Sequence, residues 1–182
     1  EENGSRTIIH TNQDLPELTA EEFEALDLDN YSWIHFEGRN TEEVIKMIRK
    51  INAFNEDRGH PIIISVEIEK VHRGFEDLIP HGDVVFISKD VAKDHGATNK
   101  YEAVKMFAPK LKAGAWLICA WGEDGAAGID ANGEVLSSPS YPPKDGVVDT
   151  IGAGDTFNGA VIGSMNRGRS LAEALDIGCR VA

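Results

Sequence analysis

The run Asp149-Thr150-Ile151-Gly152-Ala153-Gly154-Asp155-Thr156-Phe157-Asn158-Gly159 sets glycines, a carboxylate and a change of hydrophobic period side by side. Val147-Val148 before it reads as the end of an extended segment. Phe157, Ala160, Val161, Ser164 and Met165 after it recur at helical spacing. Gly152-Ala153-Gly154 therefore falls where a loop becomes a helix N-terminus, an end with unpaired N–H groups and a positive dipole that favours anions. Glycine lets the backbone come close to a bound group with no Cβ in the way. Asp155 then stands in the first turn, beside that anion. A carboxylate repels a bound phosphate, so binding alone does not account for it. A base that takes the proton from an attacking hydroxyl, while the amides hold the transferring phosphoryl group, does. A lone Gly-x-Gly-Asp is more often a turn whose aspartate complements the helix dipole.

The elements that must position this stretch are legible in outline. Thr7, Ile8 and Ile9 suit a short strand over 6–10. Thr19-Ala20-Glu21-Glu22 is a capping-box pattern and predicts a short acidic helix to about residue 26. Trp33-Ile34-His35-Phe36 is a strand closed by Gly38, and a helix over 41–55 sets Val44, Ile48 and Ile51 on one face. Ile62-Ile63-Ile64-Ser65-Val66 is a continuous apolar strand of the kind buried on both faces of a parallel sheet. A short helix over 75–79 leads to the strand Val84-Val85-Phe86-Ile87. A helix over 98–112 follows, with Tyr101, Val104, Phe107 and Leu111 in register, and then a strand over 115–121. Residues 128–138 read as an antiparallel hairpin folded about Asn132-Gly133. Two helices close the chain, the second opened by the capping box Ser170-Leu171-Ala172-Glu173.

Strand and helix alternate from Trp33 to Trp121, which predicts a parallel sheet with helices on both faces. Ligands of such sheets lie beyond the C-terminal ends of the strands. Three such ends carry polar residues: Glu67 with Glu69, Ser88-Lys89-Asp90, and Gly122-Glu123-Asp124-Gly125. By composition alone the last is a plain turn. The three tryptophans lie in strand patterns and are expected in the core.

The chain has 182 residues, 41% hydrophobic and 27% charged, with a formal net charge of −13. These values fit one globular core. They disfavour nucleic acid or an anionic membrane as partner, and a polyanionic nucleotide would need local cations and Mg²⁺ to bind. Cys119 and Cys179 form no disulfide framework and read as thiols of a reducing compartment. With no signal peptide and no spanning apolar run, the expected location is the cytoplasm. The start at Glu1, without Met, and the end inside an apolar-periodic helix read as a fragment of a longer protein. Asp27-Leu28-Asp29-Asn30 lacks the glycine and glutamate of a calcium loop, and the scattered histidines offer no zinc spacing.

The run from Asp149 to Phe157 resembles the C-terminal signature of the ribokinase-like carbohydrate kinases, Asp-Thr-x-Gly-Ala-Gly-Asp-x-Phe. Trp33-Ile34-His35-Phe36-Glu37-Gly38-Arg39-Asn40, Ser65-Val66-Glu67-Ile68-Glu69-Lys70 and the stretch from Gly82 to Lys93 resemble one branch of that family. The resemblance implies a three-layer α/β/α fold with a mostly parallel sheet and part of a small β lid. Residues 1–12 would be the end of a lid strand, and 13–182 the nucleotide-binding core without its N-terminal part. It implies transfer of the ATP γ-phosphoryl group to the 1-hydroxyl of fructose. Asp155 would be the catalytic base, touching both substrate and nucleotide, and Gly152, Ala153 and Gly154 the anion hole. Gly122, Glu123, Asp124 and Gly125 would hold the nucleotide, and Arg6 would reach its phosphates. Without the resemblance, Arg6 is a solvated strand charge.

The same resemblance implies Mg²⁺, and K⁺ near Asp149-Thr150. It also implies a homodimer formed through the lid. Cys179 is open between a place near the adenine pocket and a small apolar residue on a helix face. The family's Asn-x-x-Glu is replaced here by Ser88-Lys89-Asp90-Val91, which leaves Glu67 as a weak candidate for organising metal. Lys89 is open between a phosphate contact and a solvated charge. Two other functions stay open: another sugar or nucleoside kinase of the family, or a non-catalytic nucleotide-binding relative.

Overall fold

The computed structural model describes residues 16–71, 74–144 and 146–182. The expected strand over 6–10, the lid segment assigned to 1–12 and Arg6 lie outside the described residues.

The chain enters through a short helix, α1 (Ala20–Phe23), capped reciprocally by Thr19 and Glu22. Strand β1 (Trp33–Glu37), helix α2 (Thr41–Asn55) and strand β2 (Ile63–Ile68) follow. Tight turns at Phe75–His81 lead to β3 (Val84–Ile87), then to helices α3 (Lys89–Asp94) and α4 (Lys100–Phe107) and strand β4 (Trp116–Ala120). A hairpin, β5 (Ala126–Ile129) and β6 (Val135–Ser138), precedes the closing helices α5 (Ala153–Met165) and α6 (Leu171–Val181). Strands β1 to β4 are parallel, and β5 and β6 continue the sheet antiparallel. The spatial order, β1-β2-β3-β4-β5-β6, is the chain order.

That order decides where the helices lie. Each parallel crossover steps the same way across the sheet, so right-handed connections lay them all on one face. Alternation along the strands supplies that face with Ile64, Val66, Ile68, Val85, Ile87, Leu117 and Cys119, packed with Val44, Ile48, Ile51, Leu78, Val104 and Phe107. The opposite face presents Val84, Phe86, Ile118 and Ala126 to Phe157, Val161, Leu171, Ala174 and Leu175 of the terminal helix pair. Helices cover both faces, as the alternation predicts, with crossovers on one side and the last pair on the other.

The direction of α5 matters most for the site. Its C-terminal Met165 lines a hollow with Trp33, Ile63 and Trp116, at the N-terminal ends of the strands. Asn166, just after it, donates to Ser32 Oγ at 3.3 Å. The N-terminus of α5 therefore lies toward the C-terminal ends of the parallel strands.

Several expected boundaries shift. Helix α1 stops at Phe23, short of residue 26. The helix expected over 98–112 begins at Lys100, because Asn99 Oδ1 accepts from the N–H groups of Tyr101 and Glu102 at 3.0 Å each. It ends at Phe107 and tightens into a 3₁₀ turn at Ala108–Lys110, since Pro109 has no N–H to donate. Helix α3 was not anticipated. Val147-Val148 pairs with no strand of the described sheet, and Val148 is 98% exposed. Trp121 is buried, while Trp33 and Trp116 are only partly so. Among the described residues no helix is long and apolar enough to cross a membrane.

Candidate active site

Gly152 caps α5 in the left-handed region, with φ 75°. The turn before it is set by Asp149, whose Oδ1 accepts from the Ile151 N–H at 2.9 Å. Ala153 N–H donates to Thr150 O at 3.2 Å, and Thr156 N–H opens the helical ladder onto Gly152 O at 2.8 Å. Among the described residues the N–H groups of Gly154 and Asp155 meet no acceptor. A Cβ built on Gly152 or Gly154 would touch nothing within 4 Å, so the space over these amides is open. Asp155 is exposed beside it. Two unclaimed donors on a helix of this length, with no side chains over them, fit a phosphate oxygen.

The loop after β4 is a 3₁₀ turn at Gly122–Asp124, closed by Gly125 N–H donating to Gly122 O at 2.9 Å. Gly125 takes φ 80° and ψ −134°, and a Cβ there would stand 2.3 Å from Ser138 O. Only glycine fits where the chain leaving β6 crosses the loop. Glu123 Oε1 accepts from Lys89 Nζ at 3.0 Å. The Glu123 carboxyl is held below its ordinary value, first by its own backbone N–H and then by the Lys89 ammonium. Lys89 comes from the start of α3, which Ser88 caps: Ser88 Oγ accepts from Val91 N–H at 3.1 Å and donates to Glu69 O at 2.7 Å. The polar ends of β2, β3 and β4 are thus knit together. Lys89 and Lys93 also sit 5.9 and 6.0 Å from the Trp121 ring centroid, local cations in an acidic chain.

Sequence reasoning missed Lys100. Its Nζ donates to Asp124 O at 2.7 Å and to Ser138 O at 2.9 Å, inside the protein. A signal was present: a cation at the first position of a helix opposes the dipole, and needs a reason.

Glu67, at the end of β2, faces His35 Nε2 at 3.7 Å. His35 Nδ1 shares a hydrogen bond with Ser65 Oγ at 2.7 Å, and Ser65 also accepts from Trp33 Nε1 at 2.8 Å. This polar chain runs across β1 and β2 and ends beside Glu67. Among the described residues no three His, Cys, Asp or Glu side chains gather in a way that could hold a metal ion. Glu67, the carboxylate that the sequence offers for organising metal, stands at the end of β2 beside His35.

Both cysteines are free. Burial raises the Cys119 thiol to about 12 and also raises Cys179, which leaves both as packing groups. The segment between β6 and α5 is anchored by Tyr141, whose Oη donates to Asp176. Arg180 bridges the two, donating to Tyr141 Oη at 3.0 Å and to Asp176 Oδ2 at 2.7 Å.

A doubly covered, mostly parallel sheet, with two open amides and an exposed carboxylate at one helix start, defines an α/β protein. The chain belongs to the pfkB family of carbohydrate kinases, whose pattern matches residues 1–182. It is 47% identical over 182 residues to the ketohexokinase of Mus musculus, an alignment covering 99% of this chain and 61% of the mouse protein. The chain thus spans about three fifths of that relative's length. Among solved structures it is similar to the adenosine kinase from Sinorhizobium meliloti, with TM-score 0.71 and 20% identity over 91% of this chain and 52% of that one. It is also similar to the ribokinase from Cryptococcus neoformans var. grubii serotype A in complex with ADP, with TM-score 0.63 and 18% identity over 82% of this chain and 52% of that one. At these identities the two structures speak to the fold, and the fold is ribokinase-like.

Proposed function

We propose that this chain carries the phosphoryl-transfer half of an ATP-dependent sugar kinase acting on the 1-hydroxyl of fructose. The observation that carries the reading is the start of α5: two amides without acceptors, open space over the glycines, and Asp155 exposed beside them. The 47% identity to the mouse ketohexokinase supports the choice of sugar.

In this reading Mg²⁺-bound ATP supplies the phosphoryl group. Asp155 accepts the proton of the sugar hydroxyl as that oxygen attacks. The N–H groups of Gly154 and Asp155 hold the oxygens of the transferring group as their charge shifts. Residues 122–125 receive the nucleotide, with Lys89 and Lys93 offsetting the acidity of the chain. Arg6 reaches the phosphates, K⁺ lies near Asp149-Thr150, and the active form is a cytoplasmic dimer joined through the lid; these parts rest on the family resemblance.

The test is Asp155→Asn in the full-length kinase, which keeps the size of the side chain and removes the base. ATP affinity should persist, while kcat falls on the order of 10²–10⁴. Transfer of label from γ-labelled ATP to fructose reads it directly. An unchanged kcat, or no transfer by the unmodified kinase, overturns the assignment.

A further inference from the structure

Lys100 is placed where a lysine has two reasons not to be. It opens α4 directly after the N-cap Asn99, the end of a helix that disfavours a cation. It is also only 8% exposed, and an ammonium withdrawn from water must be compensated. Among the described residues the compensation comes from two backbone carbonyls rather than a carboxylate, Asp124 O at 2.7 Å and Ser138 O at 2.9 Å. One belongs to the loop after β4, the other to the last residue of β6. A single ammonium therefore joins α4, the loop and the sheet edge.

The same small region shows why the loop needs a tether. Ser138 O is the atom that leaves no room for a Cβ at Gly125, so loop and strand end are already in contact there. Ser140 Oγ donates to Glu123 O, which ties down the neighbouring carbonyl. The two consecutive carbonyls of Glu123 and Asp124 are thus pinned from behind by side chains, and the Glu123 carboxylate is drawn toward Lys89. Without the ammonium, the carbonyls of Asp124 and Ser138 lose their charged donor, the tie between loop and strand end goes with it, and the loop is freer to change shape.

We propose that Lys100 is a positioning residue for the nucleotide: it locks the 122–125 loop in the shape that receives ATP, and acts through that loop without touching the ligand. This rests on the nucleotide role proposed above for the loop.

The experiment uses the full-length kinase. Lys100→Met keeps the length of the stem and removes the charge and its donors. The KM for ATP should rise about tenfold or more, the scale of a lost charge-assisted hydrogen bond. The KM for the sugar and kcat at saturating ATP should stay within about twofold. Lys100→Arg, which keeps donors and charge, should recover part of the loss. An unchanged KM for ATP, or equal changes for both substrates, overturns the role.

Should Lys100→Met not fold, the unmodified kinase decides. A non-hydrolysable ATP analogue should slow acylation of Lys100 severalfold. Lys112, paired with Asp83 at 2.6 Å at the other end of the sheet, should keep its rate. Calorimetry on the same sample separates the two ideas. Binding of the analogue without protection of Lys100 overturns the lock alone. No binding overturns the nucleotide reading and the lock with it.

Discussion

Gly125 and Gly152 both hold positive φ, yet the structure asks different things of them. At Gly152 a Cβ meets open space, so Gly152→Ala should cost only the left-handed strain, about 1–2 kcal/mol, while ATP affinity drops because the methyl group enters the cradle. At Gly125 a Cβ would stand 2.3 Å from Ser138 O, and backbone cannot yield as a side chain does. Gly125→Ala should therefore lose about 3 kcal/mol or more, strain and overpacking together. Urea unfolding of the two variants measures the difference, and equal losses would contradict the crossing of loop and β6. The glycine-led start of α5 was legible in the sequence because a signature fixes residue type and spacing together. Lys100 was not, because its partners are carbonyls, which leave no mark on composition, and come from segments far along the chain. Lys89, open between two readings by sequence, is paired with Glu123.

The helices show which boundaries a sequence can announce. The capping box of α6 was readable as Ser170 and Glu173, and both halves form: Ser170 Oγ accepts from the Glu173 N–H, and the Glu173 carboxylate takes the Ser170 N–H at 2.9 Å. Ser170→Ala should cost about 1 kcal/mol of stability, measurable as a lower urea midpoint with an unchanged slope. No change would mean that α6 is held by packing alone. The buried strands were legible because β3 is apolar at every position, and the run from Ile62 into β2 as far as Val66 carries only Ser65 as an interruption, leaving no competing helical period. Helix α3 escaped because six residues span too few turns to show a period, and its cap, Ser88, also reads as the end of a strand. The far end of α4 was overrun because Phe107 and Leu111 keep helical spacing across Pro109, and the missing N–H outweighs the spacing.

Across the whole molecule, carboxylates carry a share of the stability that acid can remove. Glu102 is held below its ordinary value chiefly by the Thr98 N–H, Glu173 by that of Ser170, Asp130 by that of Glu134, and Glu76 by its bond to Lys110. Their folded values lie below their unfolded ones, so the unfolded chain takes up protons first as pH falls. The stabilisation is complete above the ordinary glutamate value of 4.5 and is lost as pH drops through the folded values. Between pH 7 and about 5, easing of the repulsion in a chain of net charge −13 works the other way. Thermal melts should therefore show a level or slightly rising Tm down to about pH 5 and a decline below about 4.5. A Tm that keeps rising into that acid range would show that these capping carboxylates contribute nothing. The order of the sheet bears on time as well as shape. No described strand is inserted between two earlier ones, so a chain emerging from the ribosome can build each rib against the last, closing only the span between neighbours. Helices α5 and α6 then settle on a platform already laid. The loop proposed for the nucleotide is thus made well before Asp155, and a nascent chain stopped short of α5 would hold the proposed berth without the proposed base.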